Sequence, residues 1–102
     1  MNIDQHRLHD YLLRARAEVF DRVRSLSPAQ YTQAFPIGLG SIARVLTHIY
    51  GSEWYYVERM LKHEVPPYSE WPIRDENPPD FHTLEAEWTR QTARTRDALT
   101  TI

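Results

Sequence analysis

Cysteine is absent from the 102 residues. That one gap excludes disulfides, iron–sulfur clusters, cysteine zinc sites and a cysteine nucleophile together. It fits a reducing compartment without requiring one. Lysine is nearly absent as well: Lys62 stands alone beside eleven arginines, a bias that by itself localises no site. No run of Lys or Arg occurs, and the formal net charge is −2. The first 51 residues carry 6 basic and 4 acidic side chains and the remainder 6 and 10, so neither half has the basic excess of a general nucleic-acid binder. No apolar run approaches the ~20 residues that a membrane span needs. Met1-Asn2-Ile3-Asp4-Gln5-His6 lacks the basic and apolar regions of a signal peptide. Gly-rich phosphate loops, Ser/His/Asp arrangements and paired-carboxylate motifs are missing too, so no catalytic residue is assigned. The expectation is a cytoplasmic protein with no nucleic-acid and no membrane partner, forming a single domain over residues 1–102.

Helical periodicity is what the chain does have. Leu8, Tyr11, Leu12, Ala15, Val19, Val23 and Leu26 recur at steps of three and four, which predicts a helix over about 5–26 with Asp4 as its N-cap. Ser27-Pro28-Ala29-Gln30 is a compact capping-box signal for one short turn ended before Pro36. Ser41 caps a second long helix, about 41–63, whose apolar coverage (Ile42, Val45, Leu46, Ile49, Tyr50, Trp54, Val57) is wide enough to pack on two sides. Gly51 inside it costs up to ~1 kcal/mol relative to Ala and points to a close helix contact or a kink.

Five prolines between Glu64 and His82 exclude a helix there, and no strand alternation replaces it. So long a connection needs a geometric reason. The preceding helix is ~30 Å long, and nineteen extended residues reach up to ~60 Å, enough to travel back along it. The third long helix, about 83–101 with Thr83 as its cap, is therefore expected to run parallel to the second. Tyr68 and Trp71 would pin the crossover. The last helix carries Leu84, Trp88, Gln91 or Thr92, Thr95, Leu99 and Ile102 on one face. Leu8, Leu12, Val19, Ile42, Leu46, Ile49, Trp88 and Leu99 make the expected core of an all-α fold.

Histidine is the residue type with most chemical reach here. His6 and His9 lie three apart, but two ligands make no site. His63 follows Lys62 at a helix C-terminus, where a cation is mildly stabilising. His82 precedes a cap with no partner in view. His48 sits mid-helix beside Ile49, and a buried imidazole needs a partner on each nitrogen or a metal on one of them. The residues alone leave both readings open. Glu53 and Glu58 read as solvated or as partners of Arg44 or Arg59.

The stretch from Gly40 to Met60, centred on Leu46-Thr47-His48-Ile49, resembles the second helix of the DinB (damage-inducible) superfamily. Leu26-Ser27-Pro28 resembles that family's first inter-helix loop, and Phe81-His82-Thr83-Leu84 followed by Trp88 resembles the start of its third helix. The resemblance implies an up-down-down-up four-helix bundle with a long crossover, of which this chain would hold three helices and stop, at Ile102, before the fourth. One groove would then stay open, favouring a homodimer. The resemblance also implies a divalent metal, zinc or nickel, in a three-histidine site. One ligand maps onto His48, and the other two belong to a His-x-x-x-His pair on the fourth helix, so metal binding by this chain alone is expected to be weak or absent. Similar proteins include thiol S-transferases using mycothiol or bacillithiol, glutathione-related enzymes and a maleylpyruvate isomerase. Three imidazoles leave an open position where a thiol binds as thiolate, the activation a cysteine-free chain lacks. The implied activity is a metal-dependent S-transferase or hydrolase acting with a low-molecular-weight thiol on a small-molecule substrate. The alternative is a non-catalytic helical dimerisation or stress-response module.

Overall fold

Each helix begins where a short polar side chain can take over orphan backbone N–H groups. In the computed structural model, which describes residues 4–101, these helices are α1 (Gln5–Arg24), α2 (Pro28–Thr32), α3 (Ile42–Met60) and α4 (Phe81–Leu99), with no strand among the described residues. Residues 1–3 and Ile102, expected on the inner face of the last helix, lie outside them. The Asp4 carboxylate accepts the His6 N–H at 3.0 Å. Ser27 and Gln30 form the reciprocal capping box at 3.1 and 2.8 Å. Ser41 Oγ accepts the Arg44 N–H at 3.1 Å.

The three long helices end two or three residues before the sequence-based expectation and α4 begins two before it, and two of these boundaries have a distinct cause. Asp80, not Thr83, caps α4, its carboxylate taking the Thr83 N–H at 2.8 Å. Both residue types cap well, but a carboxylate also sets negative charge against the positive helix end. At the other boundary, α3 stops at Met60 because Lys62 turns left-handed with φ 63°. The His63 N–H then reaches the Glu58 carbonyl at 2.9 Å and the Lys62 N–H the Arg59 carbonyl at 3.0 Å, a Schellman closure.

Side-chain pairings fix the directions of the long helices. Along α1 and α4, Gln5 meets Leu99, Asp10 meets Arg96, Arg16 meets Thr92 and Arg24 meets Glu85, so the two run antiparallel. Along α3 and α4, Gln91 donates to the Tyr50 carbonyl at 3.1 Å and Arg94 pairs with Glu58, so these two run parallel. This is the topology the crossover length predicts. The core lies between them: Trp88 sits 5.2 Å from Phe20 and 5.6 Å from Tyr50, ring to ring, with Val23, Tyr31, Ala43, Leu46 and Leu84 around it.

Half of the expected core is elsewhere. Leu46 and Trp88 are buried and Ile42 and Leu99 half-buried, but Leu8, Leu12, Val19 and Ile49 are exposed. The inward face of α1 is His9 and Phe20 together with Val23, a buried member of the expected stripe. His9 and Phe20 each lie one position, about 100°, further round the helix than Leu8 and Val19.

The crossover is fastened at two points. Trp71 stacks on Tyr55 at 5.7 Å and meets Trp54 at 5.2 Å and Tyr68 at 5.0 Å, while its indole N–H donates to the Pro66 carbonyl at 2.9 Å. Asp75 takes a hydrogen bond from the Tyr68 hydroxyl and another from Arg44 at 3.3 Å. Tyr68 first, then Arg44, holds the Asp75 carboxyl below its usual range. Gly51 faces this cluster and not a neighbouring helix; a Cβ there would meet the Trp71 ring at 3.9 Å, ordinary contact. Helix propensity therefore decides the sign. Gly51→Ala is expected to stabilise the fold by up to ~1 kcal/mol, raising the melting temperature by about 4–8 °C. A lower melting temperature would mean that the aromatic cluster cannot take a methyl group.

Candidate functional site

Two neighbouring surfaces of α3 hold the groups with chemical reach. The first is centred on His48. Leu46 and Thr47 take the inward positions, so His48, a further 100° round, lands on the outer rim and is exposed. The imidazole does not enter the core formed by the described helices. It lines a cavity of about 390 Å³ between α3 and the crossover, together with Arg44, Thr47, Ser52, Asp75 and Glu76. Thr47 is buried there with its hydroxyl oxygen unpartnered among the described residues.

The carboxylates of this cavity are already committed. Asp75 holds Tyr68 and Arg44, and Glu76 accepts from Arg74 at 2.8 Å. Among the described residues no three His, Cys, Asp or Glu side chains converge on one point. A divalent ion would find one free imidazole here and no second donor of equal quality, so these residues do not by themselves fit a three-ligand site.

The second surface lies between α1 and α3. Glu53, expected in solvent or beside Arg44 or Arg59, instead accepts from Arg16 at 3.1 Å, from the Trp88 indole N–H at 3.1 Å and from the Thr95 hydroxyl at 2.6 Å. Arg16 also donates to Thr92 at 3.0 Å and lies 4.7 Å over the Trp88 ring. Arg44 goes to Asp75, and Arg59 donates to the Tyr55 hydroxyl at 2.9 Å. Residues three and four apart share a helix face, so Leu12 and Val19 flank Arg16 while Ile49 and Tyr56 flank Glu53. Leu12 is 55 % exposed and Tyr56 64 %. With Leu8 they make two exposed apolar strips, one on each side of the Arg16–Glu53 ion pair that joins α1 to α3.

The sequence model of the DinB superfamily matches residues 11–102. This chain belongs to the DinB superfamily. No curated protein and no solved structure matches it. The matched stretch of the DinB chain includes His48, Glu53 and both apolar strips except Leu8. No helix among the described residues is long and apolar enough to cross a membrane.

The remaining histidines are dispersed through the DinB fold. His82 is exposed, and His63 Nδ1 pairs with Glu58 at 2.9 Å. Burial alone would push the Glu58 carboxyl up, but the hydrogen bonds from Arg94 and His63 outweigh it and hold it below its usual range. His9, which periodicity did not place in the core, is 93 % buried (7 % exposed), and neither ring nitrogen has a partner among the described residues. Burial lowers its pKa from 6.5; Glu53 opposes that shift, while Arg16 and Arg96 add to it. A His with a depressed folded pKa contributes stability above its unfolded value that is lost as pH falls through the folded one. Stability should therefore decline from about pH 6.5 downward, above the range in which carboxylates such as Asp75 and Glu58, held below their usual values, take up protons. Chemical denaturation at stepped pH checks this, with His9→Phe expected to flatten the decline; an unchanged slope in that variant would assign it elsewhere.

Proposed function

We infer that this DinB-superfamily chain serves a metal-dependent enzyme in which His48 is one ligand of a zinc or nickel ion. The other imidazoles would come from residues outside these 102. The reaction class that fits the family is thiol-dependent S-transfer or hydrolysis, with a low-molecular-weight thiol and a small-molecule substrate, in the cytoplasm. The supporting observation is the place of His48: an exposed imidazole inside the matched stretch, at a cavity that also holds a buried, unpartnered hydroxyl.

Metal content per chain, by elemental analysis, tests the reading. In the 102-residue chain His48→Ala should leave the low zinc and nickel content unchanged. In a chain extended along the coding frame through a His-x-x-x-His pair, the same substitution should abolish stoichiometric metal and thiol transfer. Stoichiometric metal that survives His48→Ala would move the site, with His6 and His9 the first suspects.

The exposed apolar strips favour a second reading, a non-catalytic helical module that works as a homodimer. A stop codon directly after Ile102 would support it, and an in-frame His-x-x-x-His the first.

A further inference from the structure

Beyond Trp71 lies a larger, open-sided cavity of about 670 Å³ bounded by α3, α4 and the crossover. Trp71 and Ile73 line both cavities and separate them. The volume falls in the range of small-molecule sites, which combine an apolar wall with a few convergent polar groups. The apolar wall is Tyr50, Trp54 and Trp71, the two indoles meeting at 5.2 Å.

The polar groups are uneven in charge. Arg74, Arg90 and Arg94 line the cavity against one carboxylate, Glu87. Each arginine has a carboxylate neighbour: Glu76 for Arg74, Glu87 for Arg90 and Glu58 for Arg94. Each of those contacts uses one terminal nitrogen, and a guanidinium carries five N–H donors, so donors remain on all three. Gln91 supplies the opposite polarity. It is 1 % exposed, its amide N–H₂ donates to the Tyr50 carbonyl, and its Oε1 has no partner among the described residues. An orphaned buried acceptor asks for a donor.

We propose that this cavity binds a planar aromatic carboxylate bearing an N–H or O–H donor. Its ring lies against Trp54 and Trp71, its carboxylate among Arg74, Arg90 and Arg94, and its donor on Gln91 Oε1. A planar cation is disfavoured by the same three guanidiniums. The site is separate from the metal reading of His48 and stands or falls without it.

Three probes of similar size isolate the components: indole-3-acetate carries both charge and donor, indole-3-acetamide lacks the charge, and 1-naphthaleneacetate lacks the donor. Calorimetric titration of the 102-residue chain should show saturable 1:1 binding of indole-3-acetate. Each of the other two probes should bind about tenfold more weakly, the order expected for losing a charge-assisted or buried hydrogen bond. Arg90→Gln, a surface change at the cavity mouth, should weaken indole-3-acetate but not indole-3-acetamide, while Arg22→Gln, away from the cavity, changes neither. Near-ultraviolet circular dichroism confirms that the variants are folded. Equal binding of all three probes, no saturable binding of indole-3-acetate, or an affinity indifferent to Arg90→Gln would overturn the proposal.

Discussion

Glu53→Ala is expected to lower the melting temperature by about 8–30 °C, the result of losing roughly 2–4 kcal/mol at about 4–8 °C per kcal/mol. One carboxylate satisfies Arg16, the Trp88 indole and the Thr95 hydroxyl, so its removal leaves three donors without an acceptor. Arg16 suffers most, since its guanidinium is only about one-fifth exposed and lies over Trp88. Breaking one half of a partly buried pair costs more than the pair's net contribution, because the surviving charge stays desolvated. Glu53→Gln should fall between wild type and Glu53→Ala: the amide oxygen still accepts, but the counter-charge is gone. Arg16→Met in the Glu53→Ala background should recover part of the loss. Thermal unfolding of the four proteins decides it, and a Glu53→Ala melt within about 3 °C of wild type would rule out a structural role for the triple acceptor.

Self-association of the 102-residue chain is the second large effect expected. Five apolar side chains, Leu8, Leu12, Val19, Ile49 and Tyr56, flank the Arg16–Glu53 pair at about half exposure, so covering them is worth roughly 4–8 kcal/mol gross, half of the ~1.5–3 each for full burial. Net stabilities of whole domains are commonly 5–15 kcal/mol, so leaving this surface wet is a heavy load. The chain should run as a dimer or larger species in light scattering coupled to size exclusion. Placing one charge on each strip, Leu12→Glu together with Ile49→Glu, should convert it to monomer, because both strips must be desolvated together. A monodisperse wild-type monomer with a sharp, reversible melt would contradict this expectation.

Helix existence and the parallel crossover were legible because they rest on local signals. Caps, periodic stripes and five prolines each act within a few residues, and chain reach is simple geometry. The inner face of α1 was not legible. Leu8, Leu12, Val19 and Val23 share one periodic stripe, whereas His9 interrupts the apolar pattern of the face that Phe20 shares, so periodicity alone selects a stripe of which Val23 is buried and Leu8, Leu12 and Val19 are exposed. Which stripe turns inward depends on α4, more than sixty residues away along the chain. Glu53 was missed for the same reason, as its partners Arg16, Trp88 and Thr95 lie on other helices. His48 was found through a resemblance to a family. Its exposed setting followed from Thr47 taking the inward position, which hydropathy ranks below Ile49.

The antiparallel seating of α1 on α4 has a consequence for the order in which the molecule assembles. Contacts such as Asp10 with Arg96 and Arg24 with Glu85 join segments far apart in sequence, so apart from the Arg16–Glu53 pair with α3 the first helix gains its main long partner only when the last helix exists. At a synthesis rate of ~5–20 residues per second, the roughly 75 residues between Arg24 and Leu99 take about 4–15 s to emerge. Through that interval the first helix carries both of its apolar stripes unprotected on the nascent chain. Non-local closure of this kind also slows folding relative to bundles assembled from neighbouring hairpins. The nascent chain is thus a candidate for chaperone capture at α1, with release timed by completion of α4.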